Sequence, residues 1–145
     1  DVIGSDHAPH TLEEKGRPYP QSPSGMPGVQ TLLPIMLDWV NKGAIDISTL
    51  VRMTSENPSR LYGLRDKGWL TPGGHADLVL VDMEAEWEVT ADWLQSKCGW
   101  SPYTGCHLRG RVEHVLLRGS FAVRERDLTG SPSGKPVRFS WKPSR

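Results

Sequence analysis

The sequence lacks any excess of charge, because 17 basic and 17 acidic side chains give a formal net charge of zero. This balance argues against a nucleic-acid partner, since phosphate backbones are bound by concentrated basic surfaces. Long apolar runs are lacking too, and none approaches the roughly 18 residues that a membrane span requires. We therefore expect neither a nucleic acid nor a membrane as a partner.

Cysteine is scarce, and the only two, Cys98 and Cys106, lie in a turn-rich segment. Neither belongs to a Cys-x-x-Cys pair, so the sequence does not predict a zinc knuckle. A disulfide between them is one interpretation, but two free thiols are favoured, because we expect a cytoplasmic protein and thiols stay reduced in that compartment.

Core-forming residues are also few: 37% of the 145 residues are hydrophobic, while glycine and proline number 15 and 12. The chain opens on Asp1 and the apolar pair Val2-Ile3, with no initiating methionine, helix cap or turn before them. We interpret Val2-Ile3 as the end of a buried strand. The expectation is a piece of a larger fold, which shares its core with segments outside this sequence.

The strongest chemical signal follows that apolar pair directly. Asp6, His7 and His10 stand within five residues of one another, and Pro9 ends the predicted strand because it has no N–H for a ladder. Polar groups at the carboxyl end of a buried strand are where α/β enzymes, barrels above all, carry their chemistry. An acid and two imidazoles at this spacing can bind a metal, accept a proton or bind an anion.

Four ordered motifs resemble the dihydroorotase family of cyclic amidohydrolases. SDHAPHTLEEK at 5–15 is similar to the family's last barrel strand and the loop after it. SPSGMPGVQT at 22–31 resembles its substrate loop, NPSRLYGL at 57–64 its Asn-Pro-Ala helix, and GGHADLVLVD at 73–82 its G-x-x-A-D-L-V-V-x-D strand. One Asp-His-x-x-His alone would be a weak signal, whereas four motifs in order are a specific one.

The resemblance implies an α/β fold built in three parts. Residues 1–66 are expected to be the C-terminal part of a (β/α)8 barrel, with its last strand and helices. Residues 67–126 are expected to form the C-terminal half of a small flanking β-sandwich. Residues 127–145 form a basic tail rich in Pro, Ser and Gly, for which a mobile end is favoured over a docking arm. Phe139 and Trp141 keep the docking arm open as the alternative.

Hydrophobic spacing predicts three helices in the first part. Apolar residues three and four apart predict helices over 29–41 and 46–55, the second capped by Asp46 or Ser48. Asn57 as a cap, with Pro58 at the first helical position, predicts a short third helix that ends at Gly63. Pro34 is compatible with the first of these helices only near its first turn, and Gly43 suits the position just after its end.

Turn signals and alternation predict the remaining structure. Residues 11–28 are interrupted by glycine and proline and are predicted to be a loop, which in a barrel lies on the active-site face. Extended segments are predicted at 77–82 and 87–89, and a hairpin at 112–117 and 121–126.

The resemblance also implies roles for individual residues. In the family, the aspartate at the position of Asp6 is a zinc ligand and the general acid/base, and His10 matches the contact to the substrate carboxylate. Ser24 and Gly25 match positions that offer backbone groups to the substrate ring. His7 stays open between a supporting and a purely structural role. The alternatives are an aspartate that ends a strand in a turn and a histidine bonded to a loop carbonyl.

The implied function is a zinc-dependent dihydroorotase, which interconverts N-carbamoyl-L-aspartate and dihydroorotate in pyrimidine biosynthesis. An allantoinase or hydantoinase, and a non-catalytic scaffold protein, are the alternatives. Catalytic zinc takes about three protein ligands, so Asp6 alone cannot hold it, and we expect this chain by itself to be inactive. The expected partners are a small-molecule substrate and the remainder of the barrel, with a second copy or aspartate carbamoyltransferase as further candidates.

Overall fold

A computed structural model of the chain describes residues 1–130 and 132–140. The chain divides into two compact units. The first unit comprises Asp1–Ile3, Gly43–Asp82 and the described residues from Val112 onward, and the second comprises Gly4–Lys42 and Met83–Arg111. Among the described residues, no helix has the length and apolar character needed to span a membrane.

Helices and strands follow one another in the order α then β, and the class α/β is confirmed at this level. The helices are α1 Leu12–Lys15, α2 Leu32–Asn41, α3 Ile47–Val51 and α4 Asn57–Tyr62, with a π-helical turn at Arg52–Glu56 and a 3-10 turn at Ala91–Trp93. The strands are β1 Leu78–Glu88, β2 His107–Leu117, β3 Ser120–Arg124 and β4 Asp127–Leu128. They form one sheet in the order β1-β2-β3-β4, in which β3 pairs antiparallel with both β2 and β4.

Helix α2 begins three residues later than its apolar pattern predicts. Pro34 lies buried in its first turn, where a missing N–H removes no helical hydrogen bond. Gly43 follows its end with a φ of +72°, the left-handed conformation that commonly ends helices. Val29, the first residue of the predicted helix over 29–41, precedes α2 and is 60% exposed.

The second and third predicted helices are joined into one helical run. Of the two predicted caps, Asp46 and Ser48, the structure shows Asp46, whose carboxylate accepts the Thr49 N–H at 2.8 Å. The prediction of Asn57 as a cap is wrong: its backbone is helical, with φ −64° and ψ −45°, and its N–H donates to the Arg52 carbonyl. A π-helical turn replaces the expected break. Gly63, in the left-handed conformation, ends α4 as predicted.

The strands of the sheet lie where the sequence predicted extended segments, except that two of those segments form one strand. The two extended segments predicted at 77–82 and 87–89 are a single strand, β1. The predicted hairpin is confirmed as β2 and β3, which pair Leu117 with Ser120 and shift register between Val115 and Leu116. In the second unit, Trp87, Val89 and Leu108 form a buried cluster.

Two predictions for the first 28 residues are wrong. Val2-Ile3 is not a buried strand: residues 1–6 have no regular structure, and Val2 is 36% exposed. A strand needs an extended neighbour for its ladder, but the Ile3 N–H donates to a helix carbonyl, that of Met53, at 3.1 Å. The predicted loop at 11–28 contains the short helix α1, because Thr11 and Glu14 form a reciprocal capping box.

The described part of the tail is paired rather than detached. Phe139 forms an isolated antiparallel bridge with Leu64, and Ser140 N–H donates to the Gly63 carbonyl at 2.7 Å. Arg138 also forms an ion pair with Asp66 at 3.1 Å. These contacts favour the docking arm over the mobile end for residues 138–140, while Trp141 lies outside the described residues.

Candidate active site

Asp6 presents its carboxylate on an unusual backbone. Its φ is +43°, a left-handed conformation that L side chains rarely adopt and that aspartate tolerates better than most. The residue is exposed, and no hydrogen bond or ion pair to its carboxylate is found among the described residues. The second unit therefore holds an acid whose oxygens are open to an external group.

The 22–28 loop lies against the segment that carries Asp6. His7 and Met26 form a parallel bridge, and the Ala8 N–H donates to the Met26 carbonyl at 3.0 Å. Gly25 has a φ of +100°, and a Cβ built on it would lie 2.5 Å from the Cβ of Ala8. Only glycine fits this conformation and this approach. The structure thus brings the predicted site residues Asp6 and Gly25 into neighbouring segments, with Ser24 exposed beside them.

His7 binds the end of this loop. Its Nδ1 accepts the N–H groups of Gly28 at 3.1 Å and Val29 at 3.3 Å. An imidazole nitrogen that accepts two hydrogen bonds carries no proton, so in the neutral ring the proton lies on Nε2. The sequence left His7 between a role that supports the site and a purely structural role. These contacts favour the supporting role, because His7 binds the loop that lies beside Asp6.

His10 is half-buried and fixed from two sides. Its backbone carbonyl accepts the indole N–H of Trp100 at 2.7 Å, and its Nδ1 lies 3.6 Å from a carboxylate oxygen of Glu14. The Thr11 N–H holds the pKa of the Glu14 carboxyl below its ordinary value, with His10 a smaller contributor. Nδ1 faces the Glu14 carboxylate, so Nε2 is the ring nitrogen turned away from that acid. In the doubly protonated ring, Nε2 donates a hydrogen bond and can bind a substrate anion.

Lys15 is a functional candidate that sequence reasoning missed. Its ammonium donates to the carbonyls of Pro23 at 2.7 Å and Gly25 at 3.2 Å, so it spans the two residues on either side of Ser24. Ser22 Oγ donates in turn to the Lys15 carbonyl at 3.0 Å. The Thr-x-x-Glu pattern at 11–14 could have predicted the capping box and thus α1. No sequence signal names the carbonyls that Lys15 binds.

The described residues do not supply a metal site on their own. No group of three or more His, Cys, Asp or Glu side chains in the described part of the chain could hold a metal ion. Zinc in catalytic sites takes about three protein ligands, and the open carboxylate of Asp6 fits one such position. Both Cys98 and Cys106 are free thiols.

Comparison with known proteins decides the family. The model of the amidohydrolase family matches residues 1–120. The chain belongs to the amidohydrolase family. The resemblance carried by the four motifs is therefore confirmed.

The relatives within this family include dihydroorotases. The chain is 40% identical over 136 residues to the dihydroorotase of Pyrococcus furiosus, which covers 94% of this chain and 32% of that protein. It is 43% identical over 122 residues to the multifunctional protein pyr1-3 of Dictyostelium discoideum, covering 84% of this chain and 5% of that one. The chain thus spans about a third of the length of the first of these relatives.

Two solved enzyme structures share the fold of this chain. The L-hydantoinase (dihydropyrimidinase) of Arthrobacter aurescens superposes with a TM-score of 0.85 at 31% identity, over 90% of this chain and 30% of that one. The dihydropyrimidinase of Brevibacillus agri does so with a TM-score of 0.83 at 30% identity, over 89% and 29%.

Proposed function

We propose that the intact protein containing this chain is a dihydroorotase, which interconverts N-carbamoyl-L-aspartate and dihydroorotate in pyrimidine biosynthesis. The observation that supports this most is the open carboxylate of Asp6 beside the 22–28 loop, in a chain 40% identical to a dihydroorotase. A carboxylate without a competing protein partner is suited to proton transfer with a bound substrate.

In this proposal Asp6 moves the proton of the reaction. In the hydrolytic direction, the attacking water loses a proton to the Asp6 carboxylate as its oxygen bonds to the ring amide carbon. The C–N bond of the ring then breaks, and the Asp6 carboxyl returns that proton to the leaving nitrogen. Asp6 ends the cycle ionised, as it began.

His10, Ser24 and Gly25 bind and orient the substrate. The Nε2 of His10, turned away from Glu14, contacts the carboxylate of the ring. The backbone groups of Ser24 and Gly25 contact the ring amide. Lys15 supports this proposal, because its bonds to the Pro23 and Gly25 carbonyls fix the peptides on both sides of Ser24.

The metal proposed for the intact protein is zinc, with Asp6 as one of its ligands. When bound, it would supply Lewis acidity and an acidic water. The described residues offer no complete ligand set, and the remaining ligands are expected from the rest of the protein.

The proposed architecture places residues 1–66 in a (β/α)8 barrel, 67–126 in a β-sandwich and 127–145 in a tail. A homodimer and an association with aspartate carbamoyltransferase remain predictions, as does a cytoplasmic location.

A hydantoinase or allantoinase is the second candidate, favoured by the hydantoinase structures that superpose on this chain. The two candidates differ in whether the substrate ring carries a carboxylate for His10. Hydrolysis of dihydroorotate, hydantoin and allantoin by the intact protein separates them, together with the His10→Ala variant. We expect dihydroorotate to be the best substrate and to lose most kcat/KM in that variant. Equal losses on all three rings would contradict the proposed role of His10.

A further inference from the structure

We propose that Asn57 and the Met53 carbonyl bind the backbone of residues 1–3 as a neighbouring strand would, and thereby position the segment that leads to Asp6. The contacts stand on the structure alone. Their consequence for catalysis rests on the function proposed above.

The Met53 carbonyl is available because of the π-helical turn. In an α-helix this carbonyl would accept the N–H of Asn57, but that N–H donates to the Arg52 carbonyl instead. The next N–H along the helix would be that of residue 58, which is proline and has none. The Met53 carbonyl accepts the Ile3 N–H, at 3.1 Å.

Asn57 supplies the matching donor. Its side-chain Nδ2 donates to the Asp1 carbonyl at 2.5 Å. In a parallel β-bridge, a residue on one strand faces one residue on the other strand and forms two hydrogen bonds to that residue's neighbours. Its N–H donates to the carbonyl of the preceding neighbour, and its carbonyl accepts the N–H of the following neighbour. Here Val2 is the opposite residue, the Asn57 amide takes the place of the N–H, and Met53 supplies the carbonyl. We name this pair of hydrogen bonds the Asn57–Met53 bridge.

In the Asn57–Met53 bridge, Asn57 and Pro58 serve hydrogen bonding to residues 1–3 and do not start a helix. Asn57 does not cap α4, since its backbone lies inside a continuous helical run. Pro58 withholds the N–H that would otherwise compete for the Met53 carbonyl. Asp6 follows Ile3 by three residues, so a backbone fixed at residues 1–3 limits the conformations open to that carboxylate. Asn57 is thus a positioning residue.

Amide hydrogen exchange at Ile3 in the intact protein tests the bridge directly. Asn57→Ala removes the donor, and Asn57→Asp keeps the shape while removing it; we expect Ile3 to exchange about tenfold faster in both. Asp46→Ala is the matched control, because it removes the cap of the same helical run at its other end. It should leave Ile3 exchange within about twofold of wild type. Wild-type exchange at Ile3 in both Asn57 variants would overturn the proposal.

Pro58→Ala tests whether the missing N–H of residue 58 keeps the Met53 carbonyl available. It also provides a test if the Asn57 variants do not fold. The N–H restored at residue 58 can bond within the helix and compete with Ile3, so faster Ile3 exchange is expected, and unchanged exchange would overturn the role of Pro58. In kinetics with dihydroorotate, Asn57→Asp should lower kcat about tenfold and leave KM within about twofold. A wild type inactive on dihydroorotate would sink the proposed function, while the exchange result would still decide the bridge.

Discussion

The hairpin of β2 and β3 and the segment 5–28 are held together in different ways. The hairpin is a ladder of backbone pairs, Val115 to Val123 and Leu117 to Ser120 among them. The segment 5–28 depends on side chains that bind backbone groups, chiefly His7, Lys15 and Trp100. A ladder tolerates most side-chain changes, whereas single substitutions should disturb a loop held by individual side chains. The region that carries the chemistry is therefore the more sensitive one.

The largest expected effect is that of Asp6→Asn. The amide keeps the shape of the side chain but cannot accept the proton, so kcat on dihydroorotate should fall by about a thousandfold. The thermal midpoint should stay near that of the wild type, since no described residue binds this carboxylate. Glu125→Gln, an exposed acid in the β3–β4 turn, is a control that should keep its activity. A kcat for Asp6→Asn within threefold of the wild type would refute the role of Asp6.

Gly25→Ala should have the next largest effect, a loss of stability that comes from packing as well as from backbone conformation. The added Cβ would meet that of Ala8 at 2.5 Å, which should cost about 2 kcal/mol beyond the left-handed backbone itself. Gly43→Ala is the matched control, because Gly43 has a φ of +72° with nothing within 4 Å of the built Cβ. The Gly43→Ala variant should lose only about 1 kcal/mol of unfolding free energy. Equal losses in denaturant unfolding would show that the Gly25–Ala8 approach is unimportant.

Lys15→Met should loosen the 22–28 loop without unfolding the protein. It removes the donor of two charge-assisted hydrogen bonds, for an expected cost of about 1.5 kcal/mol. The Ala8 N–H, which donates to Met26, should exchange faster, and KM should rise more than kcat falls. Lys97→Met, at an exposed lysine, should change neither. Unaltered Ala8 exchange in Lys15→Met would argue against the loop contact.

The smallest expected effect concerns acid stability in the first unit. Burial raises the pKa of the Asp77 carboxyl, but hydrogen bonds from the Lys67 ammonium and the Arg118 N–H outweigh it, and the pKa lies below its ordinary value. A lowered folded pKa stabilises the protein above the ordinary carboxyl pKa, and this stability is lost as the pH falls through the folded pKa.

Asp77→Asn should therefore destabilise the protein at neutral pH and flatten the acid limb of a plot of unfolding free energy against pH. Asp92→Asn, at an exposed acid outside this pair, should leave the limb as it is. An acid limb of Asp77→Asn that follows the wild type would contradict the role of the Lys67–Asp77 pair.

The features that the sequence predicted correctly depend on nearby residues, and those predicted wrongly depend on distant ones. Periodicity predicted α2 and the hairpin, because burial on one face depends on residues that are near one another in the sequence. The cap of the second helix was left between Asp46 and Ser48, and the structure shows that it is Asp46. The strand at Val2-Ile3 was predicted wrongly, because a strand depends on a neighbour that nearby residues do not specify. Asn57 was read as a cap because the π-helical turn before it has no sequence pattern of its own.

Within the candidate site, the motifs predicted which residues would be neighbours, and Asp6 and Gly25 do lie in contacting segments. Their catalytic and binding roles stay predictions. The contacts of Lys15 and Trp100 could not be predicted, because each joins a side chain to a backbone carbonyl that any residue could provide.

A crystal structure of the intact protein with dihydroorotate bound tests the central claim most directly. The account predicts the Asp6 carboxylate within hydrogen-bonding distance of the reacting ring amide, and the ring carboxylate at Nε2 of His10. It also predicts the 22–28 loop over the ring. A ring bound away from Asp6, with that carboxylate turned toward solvent, would contradict the account.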